Sequence, residues 1–305
     1  MDTRRVEQVH RNADVDGGEV KEIPGGAVVL LTWNSERHLD GCLRSLESAA
    51  DRPMQLVVVD NGSTDSTREK IRELAPHAEL ICNEENRGVA PARNQGLARV
   101  RAPYGVLLDV DTVVEPGALG HLFRHLDEES DVALAGARLL LPDGSVQPSC
   151  QRFPTLRDKL VRQLPRFLGA DLLRDVEMWD WDHLDTRDVD YVVGACQAIR
   201  MSALREVGGL DDAIFYGPED VDLCLRLRLR GHRVTYVGTS VIRHECQRVT
   251  RHRLDGLAWR HLVGLFHYYR KHGYLWSRAG LYRRVAEAEA QRGPGGVRGP
   301  LRSVG

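Results

Sequence analysis

AVVLLT (27–32) and, one helical segment later, QLVVVD (55–60) decide the fold. Each is an unbroken apolar run closed by a polar residue, the pattern of a strand covered on both faces. Between them Leu39, Cys42, Leu43 and Leu46 recur at helical spacing. After QLVVVD comes NGSTDST and then S-T-R-E at 66–69, which reads as a capping box opening a helix. AELIC (78–82) is a third strand, and Pro91 suits the early turn of a helix reaching about Val100. YGVLLD (104–109) is a fourth strand, Pro116 opens a helix toward Leu126, and DVALAGA (131–137) is a fifth strand. Strand and helix alternate throughout, so the natural solution is an α/β, Rossmann-like, mostly parallel sheet flanked by helices.

The second half is less regular. L-P-D-G (141–144) signals a hairpin, 155–175 reads as helical, and 176–188 as an acidic loop bearing Trp. VDYVVGACQAIR (189–200) reads as one strand, Pro218 to Arg230 as a helix, and RVTYV and SVIRH (233–244) as two short strands.

The 305 residues hold 42 Lys+Arg against 44 Asp+Glu, and 42% are hydrophobic. Mean hydropathy is −0.36. These values describe an ordinary globule and exclude collagen and coiled coil for the bulk of the chain. A net charge of −2 gives no reason to expect a nucleic-acid partner. No run approaches a membrane span, and the first 26 residues lack the apolar core of a signal peptide, so a cytoplasmic location is expected. The six cysteines, at 42, 82, 150, 196, 224 and 246, show no C-x-x-C and are expected to be reduced and mostly buried. From Arg243 onward 13 basic residues face 4 acidic ones, whereas the first 242 residues carry 29 and 40. Residues 291–305 are expected to be disordered.

Ligands of such sheets bind beyond the carboxyl ends of the strands. No G-x-G-x-x-G follows a strand, and neither a P-loop nor a G-x-S-x-G elbow is present, which disfavours a dehydrogenase, a P-loop NTPase and an α/β-hydrolase. The strand ends are instead acidic. Asp109 and Asp111 are two apart, so in extended backbone both carboxylates face one ligand. Two hard oxygen donors suit Mg²⁺ or Mn²⁺ bridging a diphosphate; the bland alternative is a solvated strand end. Asp60 can accept from N3–H of a uracil or thymine, or build an Asx turn. Asn86 and Arg93 lie near the same edge, where the arginine can pair with phosphate or with a neighbouring acid. Glu219, Asp220 and Asp222 open a helix; the dipole accounts for two of these acids, and the third is a candidate general base. His244 ends the last strand, and as one of twelve histidines it is not by itself a metal ligand.

In this order and spacing, VVLLTWNS, VVVDNGSTDST, NRGVAPARNQG, LLDVD, VGACQAIR, VGGLDDAIFYGPEDVDLCLR and VIRH resemble glycosyltransferase family 2, the inverting GT-A enzymes, from about Val28 to Arg248. The resemblance implies a GT-A domain over 27–248, with a nucleotide-sugar half (27–137) and an acceptor half (138–248). A polar extension (1–26) would precede it and a basic, aromatic helical extension (249–290) follow it. Asp60 would bind the base in a pocket lined by Thr32, Trp33 and Asn34, with Asn86 and Arg93 near the nucleotide. Asp109, Asp111 and His244 would hold the metal, Asp111 most directly. Gly194, Ala195 and Cys196 would lie beside the donor sugar. Glu219 and Asp220 match the catalytic pair, with Asp220 as base.

PDGSVQPS (142–149), FPTL (153–156) and EDVDLC further resemble the rhamnosyltransferase branch. That branch implies a dTDP-rhamnose donor (a UDP-sugar being the other candidate) and a polyprenyl-diphosphate glycan acceptor of the cell envelope. A soluble natural product or peptide acceptor is the alternative, and a non-catalytic nucleotide-sugar-binding scaffold the rival of another class.

Residues 256–282 hold 7 of the 18 aromatics among basic residues. Ala258, Leu262, Leu265 and Tyr269 follow helical spacing, which predicts a helix packed on the acceptor side of the core. A basic, aromatic helix can also lie on an anionic membrane, giving peripheral contact through 256–284 at the cytoplasmic face of the plasma membrane.

Overall fold

The two deciding runs lie side by side. In the computed structural model, which describes residues 25–162, 173–245 and 256–292, β1 (Gly26–Thr32) pairs in parallel with β2 (Met54–Asp60). β3 (Glu79–Cys82) adds to β2, and β4 (Tyr104–Asp109) to β1, both parallel. Alternate residues of these strands feed two separate cores. Val28, Leu30, Val58, Val106 and Leu108 pack under α1 (Leu39–Ser45), α2 (Thr67–Leu74) and α4 (Ala118–Glu128). Val29, Val57 and Leu107 pack under α3 (Val89–Leu97), with α6 (Met201–Val207) and α7 (Glu219–Arg228) in the same cluster. Burial on both faces is why these strands read as continuous apolar runs rather than alternating ones.

The fifth expected strand, β6 (Val132–Leu140), does not join β4. β11 (Cys196–Arg200) inserts between them, antiparallel to both, so β6 still runs in the direction of β4. The order continues through β12 (Arg233–His244), parallel to β6, to β5 (Thr112–Val114), antiparallel to β12. The sheet is therefore mixed, with a mostly parallel body. β7 (Val146–Gln147) closes the expected hairpin on β6, and β9 (Thr186–Asp188) borders β12 within the stretch read as a loop.

Other expectations change in detail. Residues 189–200 form not one strand but two, β10 (Tyr191–Val192), which pairs with β8 (Cys150–Gln151), and β11. The break falls at Gly194, whose carbonyl turns to accept from Arg93; a Cβ there would sit 2.8 Å from Arg93 Nη1. Residues 233–244 are one strand whose register shifts between Val237 and Val241. Ser66 makes no side-chain cap; Asp65 Oδ1 accepts from Thr67 N–H at 3.1 Å instead. The reciprocal capping box is at Thr155 and Asp158, opening α5 (Leu156–Val161). This helix is shorter than the span 155–175, of which residues 163–172 lie outside the described residues.

The C-terminal segment forms α8 (Gly256–His272) and α9 (Ala279–Arg292). Gln291 and Arg292 are thus helical rather than disordered, and 293–305 lie outside the described residues, as do 1–24 of the N-terminal extension. The buried face of α8 is Gly264, Tyr268, Tyr269 and His272; Leu262, expected to pack, is 56% exposed. Cys42, Cys150, Cys196 and Cys224 are buried and free, Cys82 is exposed, and Cys246 falls outside the described residues. Among the described residues no helix is long and apolar enough to cross a membrane.

Candidate active site

Parallel pairing brings the strand ends together, since Thr32 is the partner of Asp60 and Leu31 of Asp109. Asp109 closes β4, and the chain turns through Val110 and Asp111 before returning as β5. The two carboxylates therefore converge through a turn, not through the extended backbone that their spacing suggested. β12 delivers its last residue beside them, because His244 pairs with Thr112. His244 Nε2 lies 3.3 Å from Asp111 Oδ1, and its Nδ1 lies 2.9 Å from Gln147 Oε1. The amide oxygen accepts a hydrogen bond from Nδ1–H, which orients the ring with Nε2 toward the acids. One donor atom from each of Asp109, Asp111 and His244 lies within 4.8 Å of the others. Two carboxylates and an imidazole oriented by Gln147 fit Mg²⁺ or Mn²⁺.

Arg93, on α3, is buried at the centre of the site. Its Nη2 donates to Asp109 Oδ1 at 2.6 Å and to Gly194 O at 2.8 Å, and its Nη1 lies 3.7 Å from Glu219 Oε1. Of the two partners left open for this arginine, the structure supplies the neighbouring acids. Its Nε and Nη1 have no hydrogen-bond partner among the described residues.

Glu219 and Asp220 form the first turn of α7 and differ in access: Glu219 is buried and Asp220 partly exposed. Asp220 accepts from Gly194 N–H at 3.1 Å and from Val221 N–H at 2.8 Å. Burial, and then the charge of Asp220, push Glu219 up to about 7. Burial likewise raises Asp220, against the pull of those two N–H groups and of Arg93. Ala195 O accepts from Asp109 N–H at 3.0 Å, and Cys196 pairs with Leu108, so 194–196 run directly beside the acids.

At the β2 end Asp60 is fully buried and saturated. It accepts from Thr32 Oγ1 at 3.3 Å, from Ser63 N–H at 3.2 Å, from the Ser63 hydroxyl, and from Arg68 Nε at 2.5 Å. A base N–H reaches this carboxylate only where one of those donors turns away. Asn34 sits at φ +49°, a left-handed conformation that asparagine tolerates. Its Oδ1 accepts from Thr64 N–H at 2.8 Å, and Trp33 beside it is 50% exposed. Asn86 Oδ1 accepts from Asn61 Nδ2 at 3.0 Å and Gly88 N–H at 2.9 Å, so it shapes the turn into α3. Three participants went unread in the sequence. Gln147 orients His244, Arg68 neutralises Asp60, and Lys159 on α5 is held down to about 8 by burial, with Asp220 and Asp158 opposing that shift. Arg68 was within reach of local reasoning, eight residues after Asp60 on the following helix; Gln147 and Lys159 come from distant elements and leave no local signal.

A sheet of this order with acids gathered at its carboxyl edge is the architecture of the GT-A glycosyltransferases. A mannosyltransferase of Pyrobaculum calidifontis, solved with GDP-Man and Mn²⁺, shares the fold with a TM-score of 0.59 at 20% identity, over 94% of this chain and 74% of its own. Glycosyl transferase family 2 matches residues 27–208, and the chain belongs to that family. It is a glycosyltransferase. It is 29% identical to the N-acetylglucosaminyl-diphospho-decaprenol L-rhamnosyltransferase of Mycobacterium tuberculosis over 247 residues, 77% of this chain and 80% of the relative. It is 30% identical to the pre-mycofactocin glycosyltransferase of the same species over 72% of this chain, though over only 42% of that relative.

Proposed function

We propose that this enzyme transfers a sugar, rhamnose from dTDP-rhamnose first among the candidates, to a hydroxyl of a polyprenyl-diphosphate-linked glycan in cell-envelope assembly, with inversion. The reading takes its substrates from the similarity to the decaprenyl-linked rhamnosyltransferase, which extends over most of both chains. The observation that carries the chemistry is the approach of Asp220 and of the Asp109–Asp111–His244 donor set to the same Gly194–Cys196 segment. The reaction belongs at the cytoplasmic face of the plasma membrane, with 256–284 as the membrane contact.

The acceptor oxygen attacks the anomeric carbon as the bond from that carbon to the diphosphate breaks, and Asp220 takes the acceptor proton. A single displacement inverts the configuration. Gly194 N–H and Val221 N–H fix the Asp220 carboxylate, so its remaining lone pairs point in a defined direction. A divalent ion held by Asp109, Asp111 and His244 would neutralise charge developing on the leaving diphosphate. Arg93 adds a fixed positive charge behind the diphosphate, held between Asp109 and Glu219.

Thermal stabilisation tests the donor. With Mn²⁺ present, dTDP-rhamnose is expected to raise stability by about 2.7 kcal/mol at a hundredfold over Kd, and Asp111→Ala to remove the Mn²⁺ dependence. Selective stabilisation by a UDP- or GDP-sugar would remove the rhamnose assignment. No response to any nucleotide, or unchanged metal dependence in Asp111→Ala, would remove the donor site.

The acid pair sets the pH profile. Asp220 must be ionised to act, and it shares its surroundings with a glutamate raised to about 7. Burial raises Asp220 above its ordinary range, so transfer is expected to decline on the acid side at a higher pH than an unperturbed aspartate would give. An acid limb that lies in the ordinary aspartate range would show that another group titrates.

A further inference from the structure

Helix α8 has two faces of opposite character. Trp259, Leu262, Val263 and Phe266 recur at i, i+3, i+4 and i+7 and so share one side. All four are exposed, from 47% for Val263 to 71% for Phe266. Gly264, Tyr268 and His272 lie on the opposite side and are buried. Just past the helix, Leu275 and Trp276 are exposed as well. Single exposed apolar residues are ordinary, but a continuous stripe of large ones along a helix marks an interaction surface.

The charge around the stripe selects the occupant. Residues 256–292 carry seven Arg or Lys and two Glu, on a chain whose first 242 residues carry 29 basic and 40 acidic. One of the two acids, Glu289, is already paired with Arg228 at 2.6 Å, and Lys271, Arg278 and Arg292 pair with acids of the core, which leaves four arginines against Glu287. Arg260 and Arg270 are exposed close to the stripe. A matching surface is apolar within and negative at its rim, as a bilayer containing anionic lipid is. A second copy of this chain meets the apolar requirement but sets two cationic segments against each other. The two tryptophans suit the wet edge of a bilayer, where an amphipathic ring is favoured.

The inner face of the same helix grips the catalytic segment. Gly264 allows the approach, because a Cβ there would lie 2.7 Å from Gly217 O. At the edge of this face the exposed Arg260 stacks over Phe215 at 3.7 Å, and His261 meets Tyr216 edge-on at 6.1 Å. Further along, His272 Nε2 and Lys271 Nζ each lie 2.8 Å from Asp222 Oδ1, two residues beyond Asp220.

We propose that α8 is an interfacial anchor that enters the headgroup layer of an anionic bilayer through Trp259, Leu262, Val263 and Phe266. Its inner face then holds the Phe215–Asp222 segment at a fixed height above the lipid. A helix with its side chains is about 10 Å across, so the Phe215–Gly217 and Asp222 contacts lie roughly one helix diameter from the surface. An acceptor hydroxyl on a sugar joined to lipid through phosphate lies at that height. The lipid-linked acceptor rests on the function proposed above; the anchoring narrows the membrane contact proposed there to four residues and is tested apart from the donor.

The test is co-sedimentation of the full chain with vesicles of phosphatidylcholine containing about one-third phosphatidylglycerol. Wild-type protein should bind these vesicles, and bind more weakly without phosphatidylglycerol or at high salt. The double variant L262E/F266E should lose roughly tenfold or more of this partitioning. Its melting midpoint and its Mn²⁺-dependent stabilisation by nucleotide should stay unchanged, which separates lost anchoring from lost folding. Equal partitioning of the two proteins, or no binding by wild type, would overturn the anchor. So would a wild-type dimer that the double variant dissolves, because the stripe would then belong to a second copy. Vesicle binding that persists when dTDP-rhamnose fails to stabilise the protein would keep the anchor and remove only the donor reading.

Discussion

Asp220→Asn is expected to lower kcat by roughly 10²- to 10⁴-fold, the usual contribution of a positioned general base, with donor affinity nearly unchanged. Of the two acids opening α7, Asp220 alone keeps access to solvent, and its carboxylate is held from behind by Gly194 N–H and Val221 N–H. Glu219 faces inward toward Arg93, 3.7 Å away, with Oε2 buried and unpartnered among the described residues. The first arrangement suits the base proposed above, and the second a group that acts on it through charge. Asparagine keeps the shape but carries an amide group that cannot accept from one of the two N–H groups. A loss of about 1 kcal/mol in stability should therefore accompany the loss of rate. Single-turnover transfer together with nucleotide-dependent melting separates the two effects. If Asp220→Asn kept wild-type turnover while Glu219→Gln lost it, the roles of the two acids would be exchanged.

What could be read from the chain follows the range of the interactions involved. β1, β2 and β4 were legible because strands covered on both faces advertise themselves as apolar runs, and their polar last residues marked Thr32, Asp60 and Asp109 as the site's edge. The insertion of β11 was not legible, because pairing Cys196 with Leu108 depends on residues nearly ninety positions apart and leaves no local pattern. The convergence of Asp109 and Asp111 was anticipated for the wrong reason, since a turn and not an extended strand brings them together. Arg93 was placed at the right edge, but nothing in NRGVAPARN shows that Asp109 and Gly194 O already occupy its Nη2. α8 misled for a physical reason. It carries large apolar residues on two sides, so periodicity fits the exposed stripe of Trp259, Leu262 and Phe266 as well as the inward one of Leu265, Tyr268 and Tyr269.

The largest loss of stability is expected at Asp222. This carboxylate has no solvent exposure and is shared by Arg226, Lys271 and the His272 imidazole, from two helices. Arg226 Nε donates to Oδ2 at 2.7 Å, while His272 Nε2 and Lys271 Nζ meet Oδ1 at 2.8 Å each. Burial alone would raise its pKa, but His272, Arg226 and Lys271 together hold it well below the usual carboxylate range. Removing one member of a buried ion cluster leaves the others desolvated and uncompensated, so Asp222→Asn should cost about 3 kcal/mol or more. Arg226 is the most exposed to this effect, because its Nη2 already lacks a partner among the described residues. The pH dependence follows from the direction of the shift. A carboxylate whose folded pKa is depressed contributes stability in full above its unfolded value of about 3.9 and loses it as pH falls toward the folded pKa. Wild-type protein should accordingly weaken below about pH 4, while Asp222→Asn, already lacking this contribution, should respond less there. Urea midpoints of both proteins at neutral and acid pH decide the matter. Equal midpoints at neutral pH would mean that α8 is held to α7 by the tyrosine packing of Tyr268 and Tyr269 and not by this charge cluster.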